Sequence, residues 1–260
     1  MLFKDKVVIV SGIGPGLGVE LARIAAQEGA KVAIGSRTES FLKETAKEIA
    51  DTGADVLWHR TDISKNEDCK AFAQAVVDKW GRIDALVNNA ARTTPFTSFE
   101  EADFDGWREI HDVNLFGSLQ MAQACLPAMK QQGKGYIVNV TSMAHRKPLP
   151  NQGGYASSKS GLEGAGRHMA LELGKYGIRV NTARMGWMDG PPVTNYLSSI
   201  AKDTGVDLKT VQAPIVKNIP LGTMPDDADC ARGVLMLCTS WADAVSGAIL
   251  DINGGEYMPS

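Results

Sequence analysis

Tyr155 and Lys159 stand four residues apart in Tyr155-Ala156-Ser157-Ser158-Lys159. On a helix that spacing puts a phenol and an ammonium on one face, a turn apart. A free tyrosine titrates near ~10. A nearby cation favours the phenolate, so Lys159 is expected to draw Tyr155 down toward a useful general acid–base. Ser142 closes a β-branched run just upstream. Its hydroxyl can donate to a carbonyl or accept from an alcohol. Together these groups could move a proton onto or off a carbon-bound oxygen. Each also has a plainer reading. Tyr-x-x-x-Lys arises by chance, and Ser142 could close an ST-turn.

A pair of this kind needs a scaffold that brings the serine to the helix. Apolar, β-branched runs at 6–11, 31–35, 55–59, 85–88, 136–141, 179–182 and 248–251 read as strands. Their unbroken apolar character suits a parallel sheet buried on both faces. Helical signals fill the gaps at 17–28, 39–51, 66–79, 104–130, 155–175 and 226–238. Gly29 and Gly53 stand where two of these helices should stop. The alternation predicts an α/β fold, a three-layer doubly wound parallel seven-stranded sheet of Rossmann type. No composition break divides the chain, so residues 1–260 read as one domain. Residues 186–225 interrupt the alternation with Pro191, Pro192, Pro214, Pro220 and Pro225, and only short pieces there look helical. A long segment outside the sheet reads as a substrate lid or specificity insertion.

Composition excludes several classes. The net charge is −3 and no Lys/Arg run is present, which argues against a nucleic-acid partner. No apolar run approaches the ~18 residues that cross a bilayer. Cys69, Cys125, Cys230 and Cys238 are scattered without a Cys-x-x-Cys pair. That argues against a zinc site or a disulfide framework and fits a reducing cytoplasm. The N-terminus enters its first strand without the regions of a signal peptide.

The glycines are concentrated. Residues 11–18 follow the first strand, open a helix, and carry Gly12, Gly14, Gly16 and Gly18 around Leu17. The spacing is G-x-x-x-G-x-G. Such a turn lets backbone approach a pyrophosphate and points free helix N–H groups at it. The second strand ends in Gly35-Ser36-Arg37-Thr38, with no acid for a ribose 2′-hydroxyl. Arg37 can fork the oxygens of a 2′-phosphate, which favours NADP(H) over NAD(H). Arg37 could also simply cap a solvated strand end. Asp62-Ile63 and Asn88-Asn89-Ala90-Ala91 follow the third and fourth strands, at the carboxyl ends where such sheets bind ligands. Asp62 can accept from an adenine amino group, and either site could be a plain turn.

Gly12, Gly16, Gly18, Asp62, Asn88-Asn89-Ala90, Asn114, Ser142, Tyr155 and Lys159 stand in an order and spacing that resembles the classical short-chain dehydrogenase/reductase family. Residues 246–255 look like its last strand and the Gly-Gly beyond it, so the resemblance spans nearly the whole chain. It implies hydride transfer on a nicotinamide cofactor. Tyr155 would protonate the carbonyl oxygen or deprotonate the alcohol. Lys159 would hold the nicotinamide ribose, Ser142 would orient the substrate oxygen, and Asn114 would hold a water linking Lys159 to solvent. Backbone near Met188 would meet the nicotinamide carboxamide. A homo-oligomer is implied, a tetramer or alternatively a dimer. Two departures stand out. Ala91 replaces the family's glycine, which requires a negative φ there. Met185 precedes Gly186 in place of proline, which loosens the entry to the insertion.

Met185, Trp187, Met188, Tyr196, Ile200 and Met224 lie in or beside the insertion, and Met143 and His145 follow Ser142. A pocket with Trp187 and Tyr196 as walls and His145 as a polar lining residue would suit a bulky apolar or alicyclic carbonyl or alcohol. These side chains could instead pack the lid onto the body. Two other functions remain open. A 3-oxoacyl thioester reductase would want a basic patch for its acyl-carrier partner, and Arg146-Lys147 is the short candidate. A non-catalytic nucleotide sensor would be free to lose Tyr155, Lys159 or Ser142, and all three are present.

Overall fold

The computed structural model describes residues 1–93 and 96–259. Its strands are β1 (Val7–Ser11), β2 (Lys31–Ser36), β3 (Val56–Arg60), β4 (Ala85–Asn88), β5 (Gly135–Ser142), β6 (Ile178–Met185) and β7 (Ile249–Ile252). They form one sheet in the order β3-β2-β1-β4-β5-β6-β7, every pair parallel.

Successive side chains of a strand face opposite ways, so each strand feeds two cores. Val8, Val10, Val32, Ile34 and Val138 face one cluster. It is covered by α1 (Leu17–Gln27), α2 (Glu39–Asp51) and α9 (Asp227–Met236), through Leu21, Leu42 and Val234. Val7, Ile9, Ala33, Leu86 and Ile137 face the other. There α3 (Asn66–Trp80), α5 (Ser118–Gln132) and α6 (Gly153–Leu173) supply Phe72, Met121, Cys125 and Leu173. The expected single domain with three layers is what forms. No helix among the described residues is long and apolar enough to cross a membrane.

Between β1 and β4 the strand order reverses, with Ser11 beside Asn88. A crevice opens beyond the carboxyl ends at such a point, because the flanking connections leave to opposite faces. The fold therefore decides where the site lies before any side chain is considered.

Two elements differ from expectation. The helix predicted over 104–130 is α4 (Phe104–His111), a π-helical stretch Asp112–Gly117, and then α5. The wider π turn interrupts the regular ladder at Asn114, a common device near functional sites. Residues 186–225 are also more helical than their prolines suggested, with α7 (Pro191–Thr204) and α8 (Leu208–Lys217). Pro191 and Pro192 occupy the first turn of α7, where the missing N–H groups have no partner to lose. Leu197, Ile219 and Met224 form a third apolar cluster that binds these helices to each other.

A buried ionic group ties α6 to the sheet. Arg184 pairs with Asp251 through two bonds of 2.7 and 2.8 Å. Its Nη1 stands 3.8 Å from Glu163 Oε2, with side chains 4 % and 2 % exposed. Removing the cation strands Asp251 and leaves Glu163 to His145 and the Thr141 hydroxyl. Arg184→Leu is expected to cost about 3–5 kcal/mol in urea unfolding, the range for breaking a buried pair. A loss below about 1 kcal/mol would show that the group is not held by charge.

Candidate active site

The crevice is a cleft of about 680 Å³. At one end it is walled by the glycine-rich turn. A β-carbon on Gly12 (φ +101°) would overlap the backbone of Ala90, so the ends of β1 and β4 touch. Asn89 reinforces the contact, its Nδ2 donating to the Gly12 carbonyl at 2.6 Å. Gly12, Gly14, Leu17, Gly18, Asn89 and Ala90 all line the cleft. Gly16 stands behind this wall, turning the chain into α1 at φ +93°. Gly14 has open space around it. Ala91 keeps φ negative, as its methyl group requires, since Asp5 and Asn151 are the non-glycine positive-φ residues among those described.

Ser36, Arg37, Asp62 and Ile63 line the cleft next to this turn, where Gly12 N and Ile13 N donate to the Gly35 carbonyl. Among the described residues no carboxylate lies within ion-pair distance of Arg37. Burial works to raise the Asp62 carboxyl, but bonds from Ser64 and the nearby Arg37 charge hold it below the ordinary range. The Ser36 hydroxyl is buried with no protein partner among the described residues. A narrow turn of bare backbone, an orphaned hydroxyl and an unpaired guanidinium fit a dinucleotide laid across the strand ends.

Ser142, Tyr155 and Lys159 converge on the middle of the cleft. The Trp107 ring of α4 fills the space that a β-carbon on Gly153 or Gly154 would occupy, which brings it close to the start of α6 and so to Tyr155. Tyr155 and Ser142 both face the cleft, and the Ser142 Oγ accepts from Ala144 N at 3.2 Å. Lys159 is 2 % exposed, and its ammonium donates to the Val140 carbonyl at 2.9 Å. Burial pushes Lys159 down to about 8. The expected lowering of the Tyr155 phenol by Lys159 does not appear: burial raises the phenol, Ser142 supplies the opposing influence, and desolvation disfavours both charged forms.

Asn114 does not reach the cleft wall. It is fully buried in the π-helical stretch. Its Oδ1 accepts from Arg92 N at 2.7 Å, and its Nδ2 donates to Arg92 O and Ser158 Oγ, both at 3.0 Å. It thus clasps α6 to the strand-end chain beside the Tyr155–Lys159 turn.

Trp187, Met188 and Tyr196 also line the cleft. Trp187 stacks on Tyr196 with ring centroids 6.5 Å apart, and Phe96 meets Tyr196 edge-on at 6.0 Å. His145 is a correction. It is turned into the protein, its Nε2 3.1 Å from Glu163 Oε2, both side chains at most 5 % exposed. Glu163 continues the Tyr155–Lys159 spacing by one more turn, so it draws His145 inward. Burial works to raise Glu163, but His145 and Arg184 hold it below the ordinary range. The i+4 recurrence was a visible sign of Glu163. Ser36, Phe96 and Gln152 line the cleft without any such local signal.

A family model described as enoyl-(acyl carrier protein) reductase matches residues 12–256. The chain is 30 % identical to cis-4-hydroxycyclohexanecarboxylate dehydrogenase of Sinomonas cyclohexanicum, covering 97 % of each. It is 32 % identical to levodione reductase of Leifsonia aquatica, over 98 % of this chain and 95 % of that one. Among solved structures it superposes on an actinorhodin polyketide ketoreductase variant with NADPH at TM-score 0.90 and 29 % identity, over 96 and 97 % of the two chains. It superposes on NAD+-bound xylitol dehydrogenase at TM-score 0.91 and 26 % identity, over 98 and 100 %. With the tyrosine, lysine and serine in one cleft and the glycine turn beside them, the chain belongs to the classical short-chain dehydrogenase/reductases, the NAD(P)-dependent oxidoreductases that act on alcohol and carbonyl groups.

Proposed function

We propose that this enzyme moves hydride between NADP(H) and a secondary alcohol or ketone on a bulky apolar or alicyclic frame. The observation that carries the reading is the placement of the Tyr155–Ser142 hydroxyl pair in one cleft with the Trp187–Tyr196–Phe96 aromatic wall. One relative is named for a hydroxycyclohexanecarboxylate, a ring alcohol. The bound nicotinamide supplies or takes the hydride. Ser142 donates to the substrate oxygen and fixes its direction. Tyr155 holds a proton at the same oxygen, and burial keeps that proton on the phenol at neutral pH, ready for a developing alkoxide. Lys159 would turn its ammonium to the ribose hydroxyls while balancing charge as the proton leaves. Asn114 keeps the α6 turn in place, and the backbone at Met188 would meet the carboxamide. The helices of residues 186–225 act as the lid that closes the apolar end.

Ser36 and Arg37 support NADP(H), since together they offer a hydroxyl and a guanidinium fork to a 2′-phosphate. Protein fluorescence titrations test this. Arg37→Ser is expected to weaken NADPH on the order of tenfold to a hundredfold and to leave NADH unchanged. A wild-type preference for NADH would sink the assignment. A panel of cyclic and acyclic ketones, followed by NADPH absorbance, tests the substrate side. An acyl-carrier partner is less well served, because Lys147 is already paired with Glu256 at 2.7 Å. The four buried, unpaired cysteines fit a reducing cytoplasm. Phe116 and Leu171, exposed on helical faces, fit a homotetramer or dimer.

A further inference from the structure

One carboxyl on the cleft wall has no part in this account. Asp227 opens α9, is 7 % exposed, and lines the cleft beside the glycine-rich turn. Its carboxylate fills space that two glycines leave. A β-carbon on Gly190 would overlap it, and one on Gly16 would stand 2.7 Å from Oδ2. Pro192 closes the same space from the first turn of α7. So the side chain sits at the seam between the turn and the start of the lid. Among the described residues it has neither hydrogen-bond partner nor counter-cation. A buried, unpartnered carboxyl facing a binding cleft is a candidate functional group on physical grounds.

We propose that Asp227 binds the dinucleotide, its carboxyl donating an O–H hydrogen bond to a diphosphate oxygen where the glycine-rich turn meets α7. The inference rests on reading residues 12–18 as the diphosphate site. An ionised carboxylate there would repel the diphosphate, whereas the neutral acid supplies the short, charge-assisted bond that phosphate favours. The surroundings shift the carboxyl toward the neutral form. Burial pushes the Asp227 carboxyl up to about 6, helped by Glu20 of α1, Asp226 before α9 and Asp189 before α7. Glu20 is partly compensated by Arg23 at 2.8 Å, and the N-terminus of α9 works the other way by favouring an anion. A bound diphosphate adds negative charge, so binding takes up a proton when the solution lies above that range.

The sign of the pH dependence follows. Affinity is highest where Asp227 is neutral and falls as it ionises. The full-length enzyme and Asp227→Asn are titrated with NADPH and NADH at about pH 5.5 and about pH 8.5, read by fluorescence. The asparagine amide donates at both pH values. The wild-type affinity is expected to fall on the order of tenfold more than that of Asp227→Asn across this range. At the higher pH the variant is expected to bind more tightly. Titration of the cofactor's own phosphate affects both proteins alike and cancels in the comparison. Equal pH slopes, or a variant weaker than wild type at high pH, would overturn the role of Asp227 while leaving the diphosphate site intact. No binding by either protein at either pH would overturn the diphosphate reading with it.

Discussion

Tyr155→Phe is expected to lower turnover on the order of a thousandfold, in either direction, while NADPH binding stays nearly intact. The substitution removes one oxygen and nothing else. Phenylalanine keeps the ring against its neighbours on α6, and Ser142 keeps its bond from Ala144 N. What is lost is the proton that must arrive at the substrate oxygen with the hydride. Ser142 cannot replace it, because a serine hydroxyl gives up its proton far less readily than a phenol. The size of the loss is typical for removal of a positioned general acid. Turnover surviving at more than about a tenth of wild type would show that another group carries the proton. A parallel loss of NADPH affinity would mean that Tyr155 holds the cofactor more than it handles the proton.

The second large effect belongs to the scaffold. Gly12→Ala is expected to cost about 3 kcal/mol or more, from positive-φ strain together with overpacking. The added carbon would overlap the Ala90 backbone, and backbone at a strand end cannot swing aside as a long side chain can. Either β1 and β4 part or the turn deforms, and cofactor affinity falls with the geometry. Gly14→Ala is the control, because nothing lies within 4 Å of its β-carbon position and its φ is not positive. It is expected to change stability by less than about 0.5 kcal/mol. Thermal melts of the two variants compare them directly. Equal melting temperatures would show that the Gly12–Ala90 approach is not what the turn depends on.

Much of this enzyme was legible in one dimension. Val7 through Val10 alternate between two cores, and that apolar run is enough to announce a strand buried on both faces. Tyr155 and Lys159 share a face because a helix has a fixed period, whatever packs around it. The glycine-rich turn could be read as a nucleotide site because few other demands place so many glycines at a strand end. These are local rules, and local residues determine them.

Tertiary structure decided what depends on distant partners. His145 follows Ser142 closely, yet Glu163 draws it into the protein and away from the substrate. The Tyr155 phenol was expected to be lowered by Lys159, but its burial raises it instead. The prolines of residues 191 and 192 look like helix breakers until the first turn of α7 uses them. Asp227 carries no motif at all. Its meaning comes from Gly16 and Gly190, far away in the chain, which leave room for one carboxyl at the edge of the cleft. Sequence determined the chemistry on offer and the elements that carry it. Packing decided which side chains face the cleft and what charge burial lets them hold, because desolvation and contact are properties of the folded neighbourhood rather than of the residue.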